Sequence, residues 1–156
     1  HSIRVNAAGK GTAEEVGAAA TEGLHSLSQF AQDFDINIIV ENHGGFSSVG
    51  TWLMEVIKNV DLPNCGTLPD FGNFYDYDRY QGVTDMMPYA KGVSAKSYAF
   101  DESGNETKID YQRMLQIVKD SGYTGYVGIE YEGRTDPNQG ILDTKNLLIS
   151  AGQKVS

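Results

Sequence analysis

Five times in succession, a short apolar run is followed by a longer stretch with helical spacing. Each unit takes roughly 30 residues, the size of a strand with its crossover helix. Strands that alternate with helices in this way are expected to be parallel and joined by right-handed crossovers. That restricts the chain to two architectures: an open doubly wound sheet, or part of a closed barrel. Its 156 residues are enough for one domain with a real core.

The clearest strand covers 36–43, where Ile38, Ile39 and Val40 stand in a row. A run that is apolar on both faces belongs to a covered parallel sheet. Further strands are expected at 2–7, 64–70, 91–98 and 126–132. Thr12-Ala-Glu-Glu15 is a capping box, and the helix behind it turns Val16, Ala20, Leu24, Leu27, Ala31 and Phe34 inward. Ser47 or Ser48 is expected to cap a second helix with Val49, Leu53, Val56, Ile57 and Val60 on its inner face. A third helix, 79–89, carries Tyr80, Val83 and Met86 or Met87 inward. Asp110 caps a fourth, with Tyr111, Met114, Leu115 and Val118, closed by Gly122. Pro137 suits the first position of the last helix, whose inner face is Ile141, Thr144, Leu148 and Ala151. His25 lies beside the apolar stripe of the first helix and reads as a surface residue. Cys65, the single cysteine, reads as a core thiol with no internal disulfide.

The polar residues collect where the strands end: Arg4-Val-Asn6, Glu41-Asn-His43, Asp70-Phe-Gly-Asn73, Ser94-Ala-Lys96 and Glu130-Tyr-Glu132. In a parallel α/β barrel these ends meet on one rim, where active sites are built. A carboxylate at the end of a buried strand is costly unless it is paired, hydrogen-bonded or on a metal. Residues two apart on a strand point the same way, so Glu41 goes with His43, Arg4 with Asn6, Ser94 with Lys96, and Glu130 with Glu132. Glu41, Asp70 and Glu130 together make an oxygen-rich pocket that suits a hard divalent cation such as Mn²⁺ or Mg²⁺. The cation would also relieve their mutual repulsion. Taken singly, each residue has a plainer role. His43 would cap the next loop, Lys96 would pair with a structural carboxylate, and Arg4 would sit in a rim ion pair. Phe71, Phe74, Tyr75 and Tyr77 would either line a sugar site or pack helices.

A net charge of −9 repels phosphate backbones and argues against nucleic acid as a partner. No run of about 18 apolar residues is present to span a membrane as a helix. No Gly-x-Gly-x-x-Gly follows a strand, and Gly9-Lys10-Gly11 is too short to cradle phosphates.

Four segments carry a resemblance: Val40-Glu41-Asn42-His43-Gly44, Leu68-Pro69-Asp70-Phe71-Gly72-Asn73, Val93-Ser94-Ala95-Lys96 and Gly128-Ile129-Glu130-Tyr131-Glu132-Gly133. In this order and spacing they resemble the xylose isomerase-like TIM barrels, the sugar phosphate isomerase/epimerase superfamily. The resemblance covers essentially the whole chain. It implies that residues 1–156 are the C-terminal part of one (β/α)8 barrel, strands four to eight with their helices. In that family a Glu, an Asp, a His and a Glu on the last four strands bind one divalent metal. Those positions fall on Glu41, Asp70, Ser94 and Glu130, with Glu132 as the alternative for the last. Serine departs from the family's histidine and is a poor ligand. Three outcomes follow: the metal is held by three carboxylates and water, with or without help from His43; it is held weakly; or it has been lost.

The chemistry that the resemblance implies is sugar isomerisation or epimerisation by metal-assisted proton transfer next to a carbonyl, through an enediolate. Glu41 and Glu130 would be both ligands and acid/base groups, on Mn²⁺ or Mg²⁺ first and Zn²⁺ or Co²⁺ second. His43, Lys96, Arg4, Asn6, Asn73 and Glu132 would bind a small sugar or polyol. The apurinic endonuclease branch needs a histidine-rich, multi-zinc site, and three histidines with a charge of −9 oppose it. A non-catalytic sugar-binding relative is the alternative, with Ser94 in its favour. A barrel of this kind takes about 250 residues. Strands one to three are therefore expected to be missing at the N-terminus, or a second chain to cover the open edges, with Ile38, Val40 and Leu68 facing inward uncovered. A cytoplasmic location is slightly favoured, with a periplasmic or secreted one left open.

Overall fold

The computed structural model describes residues 1–155. Strands and helices alternate as β1 (Ser2–Val5), α1 (Ala13–Gln32), β2 (Asn37–Glu41), α2 (Gly50–Val60), β3 (Cys65–Leu68), α3 (Arg79–Met86), β4 (Val93–Ser97), α4 (Tyr111–Asp120), β5 (Val127–Tyr131) and α5 (Pro137–Lys154). Short 3-10 turns precede α2 and follow α3 (Gly45–Ser48 and Met87–Tyr89).

Every strand pairing is parallel, with β1–β2–β3 in one sheet and β4–β5 in another. Backbone bonds close the seam between them: Lys91 N–H to Thr67 O at 3.0 Å, Ser94 N–H to Pro69 O at 2.9 Å and Phe71 N–H to Ser94 O at 3.1 Å. Neighbours in space are thus neighbours in sequence, without the reversal of strand order that a doubly wound sheet requires. The architecture is α/β and TIM-barrel-like.

Local signals set the helix starts. Thr12 Oγ1 accepts from Glu15 N–H at 3.2 Å while Glu15 Oε2 accepts from Thr12 N–H at 2.8 Å, the expected capping box. Asp110 and Asp136 cap α4 and α5 through Arg113 N–H and Gln139 N–H. Gly122, at φ +75°, ends the α4 turn in the left-handed region. The start of α2 differs from expectation. Its cap is Val49, which has no side-chain acceptor. Ser47 and Ser48 instead accept from His43 N–H and Gly44 N–H, so they fasten the loop after β2.

One face of the sheet packs on the helices. Ile38, Val40, Cys65, Val93 and Ala95 are buried there with Leu53, Ile57, Val83, Met86 and Met114. Each large apolar side chain among them contributes about 1.5–3 kcal/mol of hydrophobic burial. Ile38 and Val40 therefore belong to this core, not to an uncovered inward face. Ile39 and Leu68 take the other face, where both approach Gly92.

The helical faces rotate slightly from expectation. Leu27 and Phe34 are 38% and 58% exposed, and α1 buries Val16, Leu24, Ser28 and Ala31. On α5, Ile141 is 46% exposed, and Gly140, Thr144, Leu147 and Ala151 face inward. Thr144 is drawn in by Ser97, whose Oγ lies 2.6 Å from its own. His25 is half-buried rather than free on the surface, with Nδ1 2.9 Å from the Val60 carbonyl at the end of α2. Cys65 is a buried free thiol. Among the described residues, no helix is long and apolar enough to cross a membrane.

Candidate metal centre at the strand ends

Parallel register places the polar strand ends side by side. Glu41 stands opposite Leu68, and Lys96 opposite Glu130. Asp70 bridges to Ser94 just past the end of β3. One carboxylate oxygen from each of Glu41, Asp70 and Glu130 lies within 4.8 Å of the other two. Oxygens that share a hard cation at 2.0–2.6 Å stand within roughly 5 Å of one another.

Each carboxylate has distinct neighbours. Glu41 is buried, with Oε2 2.5 Å from Arg4 Nε and Oε1 accepting from Asn73 Nδ2 at 3.1 Å. Asp70 is fully buried; its Oδ1 accepts from Gly72 N–H and Asn73 N–H, both at 2.9 Å. Its Oδ2 has no hydrogen-bond donor. Glu130 is half-buried, with Oε2 accepting from the Ser94 hydroxyl at 2.7 Å and Oε1 3.1 Å from Lys96 Nζ. Ser94 lies near Asp70 as well, but a hydroxyl has one proton to give, and here it goes to Glu130.

Lys96 occupies the middle and is 0% exposed. Its Nζ is 3.1 Å from Glu130 Oε1, 3.0 Å from Glu132 Oε1, 3.1 Å from Asn73 Oδ1 and 3.9 Å from Asp70 Oδ1. Four carboxylates therefore face two cations, Arg4 and Lys96. When all are ionised, two negative charges stay uncompensated.

The electrostatics follow from this arrangement. Burial pushes the Asp70 carboxyl up to about 7, against the opposing pull of Lys96 and the Gly72 amide. Burial also pulls on the Lys96 ammonium, but Asp70, Glu132 and Glu130 outweigh it and hold its pKa above the ordinary lysine value. Burial raises Glu130, yet its bonds to Ser94 and Lys96 keep it below the usual carboxylate range.

A buried, ionisable oxygen without a donor needs an explanation. A cation supplies one, and the oxygen-only donor set with two uncompensated charges fits a hard divalent ion. Zn²⁺ or Co²⁺ fits less well, since no nitrogen or sulfur donor lies in the three-residue group.

The remaining expected residues divide. Arg4, Asn73, Lys96 and Glu132 join the cluster. His43 is exposed in the loop beyond Glu41. Asn6 is exposed on a different surface, where it lines a groove along α1 with Lys10, Ala20 and Leu24. Phe71, Phe74 and Tyr77 pack in or against the core, and Tyr75 is exposed. A cavity of about 660 Å³ between α1 and α2 holds none of these strand-end groups, and Trp52 Nε1 beside it already donates to Ala13 O.

Two residues of the cluster were not expected from the sequence. Asn42 is buried, and its side chain clamps the Asp70 backbone: Asp70 N–H to Oδ1 at 2.7 Å and Nδ2–H to Asp70 O at 3.0 Å. A polar residue on the helix-facing side of an apolar strand end was the available signal. Tyr98 follows Ser94 and Lys96 at the same two-residue step, and its hydroxyl stands over Gly72, where an added Cβ would meet it at 2.4 Å.

Comparisons with known proteins identify the family and the fold. The family described as xylose isomerase-like TIM barrel matches residues 4–151. Hydroxypyruvate isomerase of Escherichia coli (strain K12) is 25% identical over 140 residues, covering 83% of this chain and 54% of that protein. A D-tagatose 3-epimerase-like protein superposes with a TM-score of 0.78 at 20% identity, over 99% of this chain and 62% of that one. A xylose isomerase-like TIM barrel protein from Mycobacterium smegmatis in complex with magnesium gives 0.72 at 18% identity, over 96% and 55%. The chain thus spans about half the length of these proteins, and considerably less of other curated relatives, such as the 18% of a C-glycoside deglycosidase alpha subunit from Arthrobacter globiformis. With a match running through nearly every element described above, this chain belongs to the xylose isomerase-like TIM barrel family.

Proposed function

We propose that the protein acts as a sugar isomerase or epimerase that moves a proton next to a carbonyl with the help of one divalent metal. The observation that carries this reading is the convergence of Glu41, Asp70 and Glu130, together with the buried Asp70 Oδ2 that no donor satisfies. One relative is named a hydroxypyruvate isomerase and two structures of the same fold are named epimerases, and among such structures one holds magnesium and another zinc.

Glu41, Asp70 and Glu130 would hold the ion. When bound, it would stabilise negative charge that develops on a carbonyl oxygen and a neighbouring hydroxyl oxygen. Glu130 or Glu41 accepts the proton from the carbon beside the carbonyl, and the other returns one. Return to the opposite face of the same carbon inverts it, and return to the neighbouring carbon isomerises the sugar. Ser94 and Lys96 fix the Glu130 carboxylate at its two oxygens, so it points one way before substrate arrives. Half-exposed Glu132 and exposed His43 are the groups open to sugar hydroxyls. Arg4 and Asn73 hold Glu41 in place.

The test is proton exchange. Incubation with Mn²⁺ or Mg²⁺ in D₂O, against a panel of ketoses, aldoses and hydroxypyruvate, should put deuterium beside the carbonyl. EDTA should abolish it. Exchange that persists in EDTA would remove the metal from the reading. Sugar binding with no exchange on any panel member would favour a non-catalytic sugar-binding relative, which the family-divergent Ser94 also fits.

A further inference from the structure

A lysine ammonium has three protons to donate. In Lys96 all three have an acceptor within 3.1 Å: Glu130, Glu132 and Asn73. The side chain is wholly buried, and its stem packs against Gly72, where an added Cβ would meet Cδ at 2.8 Å. Such a lysine has no donor left for a ligand. Glu130 in β5 and Glu132 just past its end both reach Lys96 Nζ and would repel each other without it. Lys96 also sits 3.9 Å from Asp70 Oδ1 and 3.1 Å from Glu130 Oε1, so its charge lies beside two of the three carboxylates of the candidate metal group.

We propose that Lys96 is a positioning residue with two opposed effects: it orders Glu130 and Glu132 in the metal-free protein, and its positive charge limits how tightly the site takes a divalent cation. The inference rests on the metal reading above and goes beyond it. The family resemblance made Lys96 one more group that contacts sugar. Here it is a resident counter-ion, held inside the cluster. Ser94 complements it by holding the other Glu130 oxygen.

The two effects have opposite signs in one experiment. Lys96→Met keeps an unbranched stem and removes the charge. Calorimetric titration with Mn²⁺ and thermal melts with and without EDTA would be run on the wild-type protein and on the variant. The melting temperature of the variant in EDTA should fall, because Glu130 and Glu132 lose their shared counter-ion. Its Mn²⁺ affinity should rise by roughly tenfold or more, since a unit charge a few ångströms from a divalent ion no longer opposes it. The rise in melting temperature on adding Mn²⁺ should therefore be larger in the variant. A purely structural lysine would give the reverse: a looser site with weaker binding.

Equal or weaker Mn²⁺ binding by a folded variant overturns the inference and leaves the metal reading standing. Absence of Mn²⁺ binding by both proteins overturns the metal reading, and this inference with it. Binding by the variant alone supports the inference, with Lys96 blocking the wild-type site outright. Should the variant be unfolded in EDTA, refolding on addition of Mn²⁺ supports the inference, and failure to refold at any Mn²⁺ concentration overturns it.

Discussion

Replacing Asp70 by asparagine should stabilise the metal-free protein at alkaline pH while removing its affinity for a cation. The Asp70→Asn side chain would keep the Oδ1 acceptor for the Gly72 and Asn73 amides and lose only the buried charge. The cost of that charge follows from the pKa. An ordinary aspartate sits at 3.8, whereas burial lifts Asp70 to about 7. The gap is roughly three pH units at ~1.4 kcal/mol each, so full ionisation costs ~4 kcal/mol. The sign is set by proton binding. The folded state holds the proton to higher pH than the unfolded one, so stability falls as pH rises from about 4 to 7 and levels off above. Glu130 shifts the opposite way, but below the usual carboxylate value, so its contribution is complete before about pH 5. Between about pH 5 and 8 the Asp70 contribution alone should lower stability by about 2.5 kcal/mol. Urea unfolding in EDTA at both pH values, on the wild-type protein and Asp70→Asn, isolates this contribution as the difference between their slopes. Saturating Mn²⁺ should flatten the wild-type slope and leave the variant unchanged. Equal pH slopes for the two proteins in EDTA would refute the argument that Asp70 is buried without adequate compensation.

Other substitutions probe the surroundings of the site. Ser94→His should raise Mn²⁺ affinity by roughly tenfold in a calorimetric titration, because imidazole is a far better ligand than a neutral hydroxyl; equal or weaker binding would mean that the fourth donor comes from elsewhere. Asn42→Ala strips both bonds from the buried Asp70 backbone and should cost about 2–3 kcal/mol in denaturant unfolding, with Mn²⁺ affinity reduced. Gly82→Ala would drive a methyl to 2.2 Å from the Phe74 ring and should destabilise by about 1–3 kcal/mol through overpacking, with metal affinity little changed. A loss under about 0.5 kcal/mol would show that Phe74 can move aside.

Local chemistry was legible in the sequence because it depends on neighbours along the chain. Thr12 and Asp110 cap their helices as their spacing requires. The strand–helix alternation implied parallel pairing, which every ladder obeys. Strand ends that carry Glu41, Asp70, Lys96 and Glu130 had to meet once those strands were parallel and adjacent. The pairing of individual atoms was not legible. Whether Ser94 turns to Asp70 or Glu130, and whether Lys96 reaches outward or folds into the cluster, depends on register between strands β4 and β5, which lie far apart in the chain. The Asn42 clamp on Asp70 joins residues 28 positions apart, and no local pattern encodes it. Helical faces drifted for a related reason: periodicity marks an apolar stripe, but the neighbouring elements decide which flank is covered. Leu27 and Ile141 lie on the uncovered flanks, while Thr144 keeps its expected inward place, its hydroxyl 2.6 Å from that of Ser97. Which residues gather at the strand ends was written in the order of the chain. Which atoms they pair with was settled by the packed fold, because burial and distance exist only once the strands are aligned.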